Sequence, residues 1–239
     1  MGSMADPTPL WDFDEPARSE QVLRAAADIA EGADRLVLLT QVARALGLQE
    51  KYDEGQAILD DLVTGDDEVA TRVSLERGRL LRSSGDPAAA RPHFEAAEQI
   101  AAAAKLDALR VDAVHMLALV ADPADRLAVN ERALELAFHS KDQAARDWDA
   151  SLLTNIGMVH ADRGDFGEAL ASFEHALAAR ERVGDQDRLR EGRWLVAWAL
   201  RNLGRTEDAL TMQRELKAEL VAVGRTDPYV DEELGLLTQ

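Results

Sequence analysis

Five stretches of the chain repeat one layout: an apolar helical run, a turn, then an acidic step into a second run. The best two are NIGMVHADRGDFGEALASFEHAL (155–177) and LVAWALRNLGRTEDALTMQREL (195–216). LERGRLLRSSGDPAAARPHFEAA (75–97) and VARALGLQEKYDEGQAILDDL (42–62) fit the same frame, and LRVDAVHMLALVADPADRLAVNERAL (109–134) fits it more loosely. Aligned on the turn, at Glu50, Gly85, Ala121, Gly164 and Gly204, the successive spacings are 35, 36, 43 and 40 residues. Self-similarity at such a period restricts the fold to stacked copies of one small unit, none of which can bury its apolar face alone.

The unit is helical. Alanine and leucine recur at helical spacing, proline and glycine punctuate, and β-branched alternation is nearly absent. Seven residues before the turn stand Ala43, Gly78, Val114, Gly157 and Ala197, and five after it Gly55, Ala90, Arg126, Ala169 and Ala209. Nine after it come Leu59, Phe94, Asn130, Phe173 and Gln213, and twelve after it Leu62, Ala97, Ala133, Ala176 and Leu216. Small residues let two antiparallel helix axes approach, and a large one fills the space left a turn further on. A glycine at the turn supplies the left-handed cap that ends the first helix. Arg126 and Asn130 break the small/large pattern, and Pro92, inside a second helix, is expected to kink or delay it. The two longest spacings imply an extra helical turn or longer connections.

On these residues the chain resembles the tetratricopeptide repeat (TPR) family, most closely at Gly157, Gly164, Phe166, Ala169, Phe173 and Ala176. The resemblance implies an all-α, right-handed α-solenoid of about five helix-turn-helix repeats over 36–225, with N- and C-terminal capping helices. The cap at 18–35 has Ser19 or Asp14 near its start, with Trp11 and Phe13 covering the first repeat's edge. In the cap at 226–239, Asp227 is the N-cap and Pro228 opens the first turn. Residues 1–17 read as an N-terminal extension beginning with a cloning scar, Met1–Ser3, ahead of a native Met4.

Charge and composition exclude several functions. A formal net charge of −18 repels phosphate backbones and anionic lipid, so neither a nucleic acid nor a membrane is the expected partner. The absence of cysteine removes disulfides, thiolate metal sites and thiol catalysis. No apolar run reaches the length of a membrane span and no signal-peptide pattern opens the chain, so the expected compartment is the cytoplasm. Lysine is confined to Lys51, Lys105, Lys141 and Lys217, and this bias toward arginine is that of a GC-rich bacterial genome. His160 takes a place where the family often carries a packing aromatic, while His93, His139 and His175 have no second ligand at metal-site spacing. No zinc-protease, P-loop, hydrolase or dinucleotide motif is present, so the expectation is no catalysis, no cofactor and no metal.

What the resemblance implies instead is a groove, lined by the first helix of each repeat at positions 13, 10, 6 and 3 before the turn. That stripe holds Arg44, Arg72, Arg79 and Arg82 toward the N-terminal end, then His115 and Met158, then Trp194, Trp198 and Arg201 toward the C-terminal end. It carries five arginines and one carboxylate (Glu191) in a chain where acids outnumber bases 45 to 27. Arginine and tryptophan are also the residues that most often dominate interface energetics. The expected ligand is a protein or peptide segment with carboxylates toward the arginines and an apolar side chain against the tryptophans. Two alternatives stand beside it. The arginines can pair with Glu or Asp on neighbouring repeats and the tryptophans pack under the C-terminal helix, or the chain is a self-associating structural TPR protein, a homo-oligomer with its groove or ends filled by another copy or by its own C-terminal helix. The family's Lys/Asn clamp for C-terminal carboxylates is not carried over, because Asn155 is its lone echo.

Overall fold

The computed structural model describes residues 7–238, so Met1–Ser3 and Met4 lie outside the described residues. Among the described residues there are thirteen α-helices, no strand, and one 3-10 turn, Thr8–Leu10. The helices are α1 (Pro16–Ile29), α2 (Gly32–Leu48), α3 (Tyr52–Asp60), α4 (Asp67–Ser83), α5 (Pro87–Ala104), α6 (Asp107–Leu119) and α7 (Arg126–His139). They continue as α8 (Gln143–Arg146), α9 (Asp149–Asp162), α10 (Phe166–Val183), α11 (Gln186–Asn202), α12 (Thr206–Ala222) and α13 (Pro228–Leu237). The chain divides into two compact units, the first ending at Ala145 and the second beginning at Arg146. The first contains the helix pairs α2/α3, α4/α5 and α6/α7, preceded by α1. The second contains α9/α10 and α11/α12, followed by α13.

Four of the five intra-repeat turns share one construction. Glu50, Gly85, Gly164 and Gly204 take φ of 62°, 97°, 81° and 75°. The next residue's N–H then reaches back to the carbonyl five residues earlier, as Lys51 to Leu46, Asp86 to Leu81, Asp165 to His160 and Arg205 to Leu200, each at 2.9 Å. This closes the helix end with a left-handed residue, as glycine favours. Glu50 adopts the same geometry without that freedom. The third turn differs: Ala121 is not left-handed, and α7 begins five residues after it rather than two. Arg126 therefore opens a helix there instead of sitting within one. Pro92 lies inside α5, yet α5 begins at Pro87, at the same place after the turn as its counterparts, so the helix is not delayed.

The small/large seam is physical contact. A Cβ built on Gly78 would stand 2.4 Å from Phe94 Cε1, and one on Gly157 would stand 2.4 Å from Phe173 Cε1. Both rings are fully buried, so each glycine marks a place where the facing ring touches helix backbone. Asn130 and Gln213 occupy the same buried position in their repeats. Asn130 donates from Nδ2 to Arg126 O at 2.9 Å, while neither polar atom of the Gln213 amide has a hydrogen-bond partner. The helix within 18–35 starts at Pro16 and ends at Ile29, with Ser19 buried and hydrogen-bonded to the Asp12 backbone on both its N–H and carbonyl, each at 2.8 Å. At the other end Asp227 caps α13 by accepting from Tyr229 N at 2.9 Å.

Gly78→Ala tests the seam. Alanine ordinarily gains about 1 kcal/mol over glycine inside a helix. Overpacking against Phe94 should outweigh that gain, giving a net loss of about 1–3 kcal/mol in urea melts. Phe94→Leu in the same chain should recover part of the loss; strictly additive losses would show that the two do not share space.

Candidate functional site

In the first unit the expected inner-face residues gather on three helices: Arg44 on α2, Arg72, Arg79 and Arg82 on α4, and His115 on α6. They do not all do the same thing. Arg79 is locked by carboxylates. Its Nη1 donates to Glu76 Oε1 at 2.5 Å and its Nη2 to both Asp112 oxygens at 2.5 and 2.6 Å. Glu76 is only 2% exposed and Asp112 7%, so this is a buried charge cluster joining α4 to α6. Burial opposes the charged forms, but Asp112 and Glu76 hold the Arg79 pKa above its ordinary value, while Arg79 and Arg44 hold Asp112 below the usual carboxylate range. Arg72 pairs along its own helix with Glu68 at 2.9 Å. Half-buried His115 is pushed down by burial, with Arg79 and Arg82 adding to the effect.

Arg44 and Arg82 have no carboxylate within ion-pair distance among the described residues, although acids outnumber bases in the chain. The Arg44 guanidinium lies 5.7 Å from the Trp11 ring centre and 5.6 Å from that of Phe13. Those two rings stack at 4.7 Å and 5°, and Trp11 Nε1 donates to Gln41 Oε1 on α2 at 3.2 Å. Burial, reinforced by Arg79 and Arg72, lowers the Arg44 pKa, and the nearby charges of Glu76 and Asp112 offset part of that effect. Arg44, Arg79 and Arg82 border a recess of about 180 Å³ whose apolar walls include Leu48, Met116 and Leu119. Leu48 is half exposed beside them.

In the second unit Met158 is exposed on α9, and Trp194, Trp198 and Arg201 lie on α11. The indoles are stacked at 6.2 Å and 8°, as four-residue spacing on a helix allows. Trp198 is half-buried, with its ring edge-on to Phe166 at 5.4 Å and tilted against Phe173 at 6.3 Å. Trp194 meets Tyr229 of α13 edge-on at 6.1 Å. Arg201 forms a two-pronged ion pair with Glu233 of α13, at 2.7 and 2.8 Å. The last inner helix is thus covered in part by the chain's own C-terminal helix.

Several partners had no mark in the repeat frame. Glu76, Asp112 and Glu233 are carboxylates buried beside arginines, and Trp11 and Phe13 reach the cationic face rather than only an edge. Only opposite charge at matching helical positions could have suggested the first three. Among the described residues no group of three or more histidines and carboxylates could hold a metal ion, and no helix is long and apolar enough to cross a membrane.

Residues 148–217, from the start of α9 through most of α12, match the tetratricopeptide repeat family model. No curated protein matches the sequence. Among solved structures, BtubC from P. vanneervenii aligns with 94% of this chain over 94% of its own, at 16% identity and TM-score 0.66. Nearly identical TPR-like repeats from Podosopora anserina align with 82% of this chain over 100% of theirs, at 14% identity and TM-score 0.61. The apo quorum sensor NprR from B. thuringiensis aligns with 95% of this chain over 64% of its own, at 13% identity and TM-score 0.65. NprR is also solved with its cognate peptide NprX, with TM-score 0.56 at 13% identity over 95% of this chain and 66% of that one. Likeness at these identities shows the fold: stacked helix pairs of the TPR solenoid type.

The buried Arg79 cluster has two measurable consequences. Asp112→Asn should cost about 1.5–3 kcal/mol, because it takes a charged acceptor from a buried guanidinium that then keeps only Glu76. Asp112 titrates in the folded chain below its ordinary 3.8. Its contribution is therefore complete above that value and is lost as pH falls through the lower, folded-state pKa. Urea melts from about pH 6 to about pH 2.5 should show this acid loss in the wild type and a shallower one in Asp112→Asn; equal slopes would remove Asp112 as its source.

Proposed function

We propose that this chain, a protein built from tetratricopeptide repeats, acts without catalysis by binding a peptide or protein segment on the inner faces of its repeats. The observation that carries this reading is a recess bordered by three arginines and one carboxylate, Glu76, which is already bonded to Arg79; among the described residues Arg44 and Arg82 have no carboxylate within ion-pair distance, in a chain of net charge −18. A cation without an ion pair of its own in an acidic protein is a ready contact for an incoming anionic group. The recess would take a carboxylate against Arg44 and Arg82, with Arg79 held in place behind them by Glu76 and Asp112. An adjoining apolar side chain would lie against Leu48, Met116 and Leu119. Arg72, already paired with Glu68, would contribute to the field rather than a direct contact.

The peptide complex of the similarly folded NprR supports binding in this architecture. The Trp194–Trp198 face in the second unit has the right chemistry for an apolar group, and α13 already covers part of it.

An unbiased peptide library selected on the full chain tests the proposal. Selected peptides should be enriched in Asp and Glu next to a large apolar residue. Arg44→Gln with Arg82→Gln should weaken their binding at least tenfold, about 1.4 kcal/mol, and wild-type affinity should fall as salt rises. Arg82 is exposed, so its replacement should change stability by no more than about 0.5 kcal/mol. A selection without acidic enrichment, or undiminished binding by the double variant, would sink this reading.

A further inference from the structure

The C-terminal helix carries its contacts to α11 and the adjoining core on a single stripe. Tyr229, Glu233 and Leu237 are four residues apart, the spacing that aligns side chains along one helical face. Tyr229 meets Trp194, the Glu233 carboxylate takes both prongs of Arg201, and Leu237 joins the core cluster that includes Leu195 and Leu200. Glu233 is 4% exposed, an unusual burial for a carboxylate unless its position is dictated by what it binds. Beside this stripe Val230 packs with Leu216 and Leu220 of α12.

The fit is incomplete in three ways. Trp194 Nε1 and Arg190 Nε, both on α11, are buried without an acceptor. A cavity of about 330 Å³ remains between α11, α12 and the start of α13, with Trp194, Leu216, Leu220 and Tyr229 among its walls. Tyr229 itself is 66% exposed. A buried donor without an acceptor weakens the closed arrangement, and the open cleft leaves the Tyr229 ring only partly packed. The helix has ten residues, and the segment joining it to α12 contains Gly224 at φ 69°. So short a helix draws its stability from what it packs against rather than from itself.

We propose that the Trp194–Arg201 face of α11 is a docking site for an amphipathic helix of a partner protein, bearing an aromatic residue, a glutamate and an apolar residue at four-residue intervals. α13 is the chain's own occupant of that face, and the partner helix displaces it. The chemistry of the partner is read from the occupant: a carboxylate in the Arg201 fork, a ring against Trp194, and a leucine-sized group in the core position of Leu237. A foreign helix with a larger ring or an acceptor at the Tyr229 position could fill the cavity that α13 leaves, which gives it an advantage over the resident. This site is separate from the arginine recess of the first unit, and either can fail without the other.

The probe is a fluorescent peptide with the sequence of residues 226–239, compared with a scrambled version and with one carrying Tyr229→Trp. Binding to the full chain is read by anisotropy. The wild type should bind the peptide weakly, since its own helix competes. Glu233→Gln in the full chain weakens the resident and should raise peptide affinity at least tenfold. Tyr229→Ser, at an exposed position, should act in the same direction if Glu233→Gln fails to fold. Arg201→Gln should bind the peptide no better than the scrambled one, and the same ordering of variants should hold in an Arg44→Gln, Arg82→Gln background, where the recess of the first unit cannot take the peptide's carboxylates. The Tyr229→Trp peptide should bind more tightly than the parent.

Equal affinity of the wild type and both weakened variants would overturn displacement, and undiminished binding by Arg201→Gln would overturn the site. Sedimentation velocity supplies the remaining outcome. If the wild type dimerises and Glu233→Gln abolishes the dimer, the occupant is a second copy and a foreign partner is excluded. A monomeric wild type supports the proposal.

Discussion

The close approach of Gly78 to Phe94 and of Gly157 to Phe173 is the contact on which the repeat design rests. Each ring packs where a single methyl group would collide, so the two helices of a repeat are held at one separation and one rotation. That rotation decides which residues of the first helix face the core and which face away. In α4, Gly78 turns to Phe94 while Leu75, Arg79 and Arg82 follow one another along an adjoining stripe; in α11, Ala197 and Val196 are buried while Trp194 and Trp198 are half covered. Without the seam neither the arginines nor the tryptophans would share a face.

Much of this was legible in the residues because it depends on local chemistry at fixed spacing. Glycine at Gly85, Gly164 and Gly204 announced left-handed turns, and the small and large residues around them announced the seam. The third repeat was harder to read for a physical reason: with no left-handed residue at Ala121, the connection lengthens and α7 starts late. Asn130 nonetheless takes the buried place of the large residue, so the register of burial outlasted the loss of apolar character.

The electrostatic partners on other helices were not legible, because those pairs join residues far apart in sequence, unlike the local pairs Arg72–Glu68 and Arg79–Glu76. Arg79 and Asp112 lie 33 residues apart and Arg201 and Glu233 lie 32 apart, so no local spacing links them. The arginine stripe therefore looked uniform in sequence and is not uniform in space. Arg79 is enclosed, Arg72 is paired along its helix, Arg201 is held by α13, and among the described residues Arg44 and Arg82 have no carboxylate within ion-pair distance. An enclosed arginine is a scaffold for its neighbours: fixed between Glu76 and Asp112, Arg79 cannot swing out, yet its charge still raises the potential felt at Arg44.

The two terminal segments show what the inner faces favour. In the first unit, Trp11 and Phe13 lie against Arg44 and Gln41; in the second, Tyr229 and Glu233 lie against Trp194 and Arg201. In both cases an aromatic ring is used, and in the second a carboxylate accompanies it. A lone arginine over a ring keeps most of its charge available, since cation–π attraction at a partly open site is worth only about 0.5–1 kcal/mol. A two-pronged carboxylate satisfies the guanidinium far more fully. The N-terminal segment thus leaves its cation open to an incoming carboxylate, whereas α13 must be moved before Arg201 can accept one. On the proposed reading, binding in the first unit would be limited by affinity for the recess, and binding in the second by competition with a tethered rival.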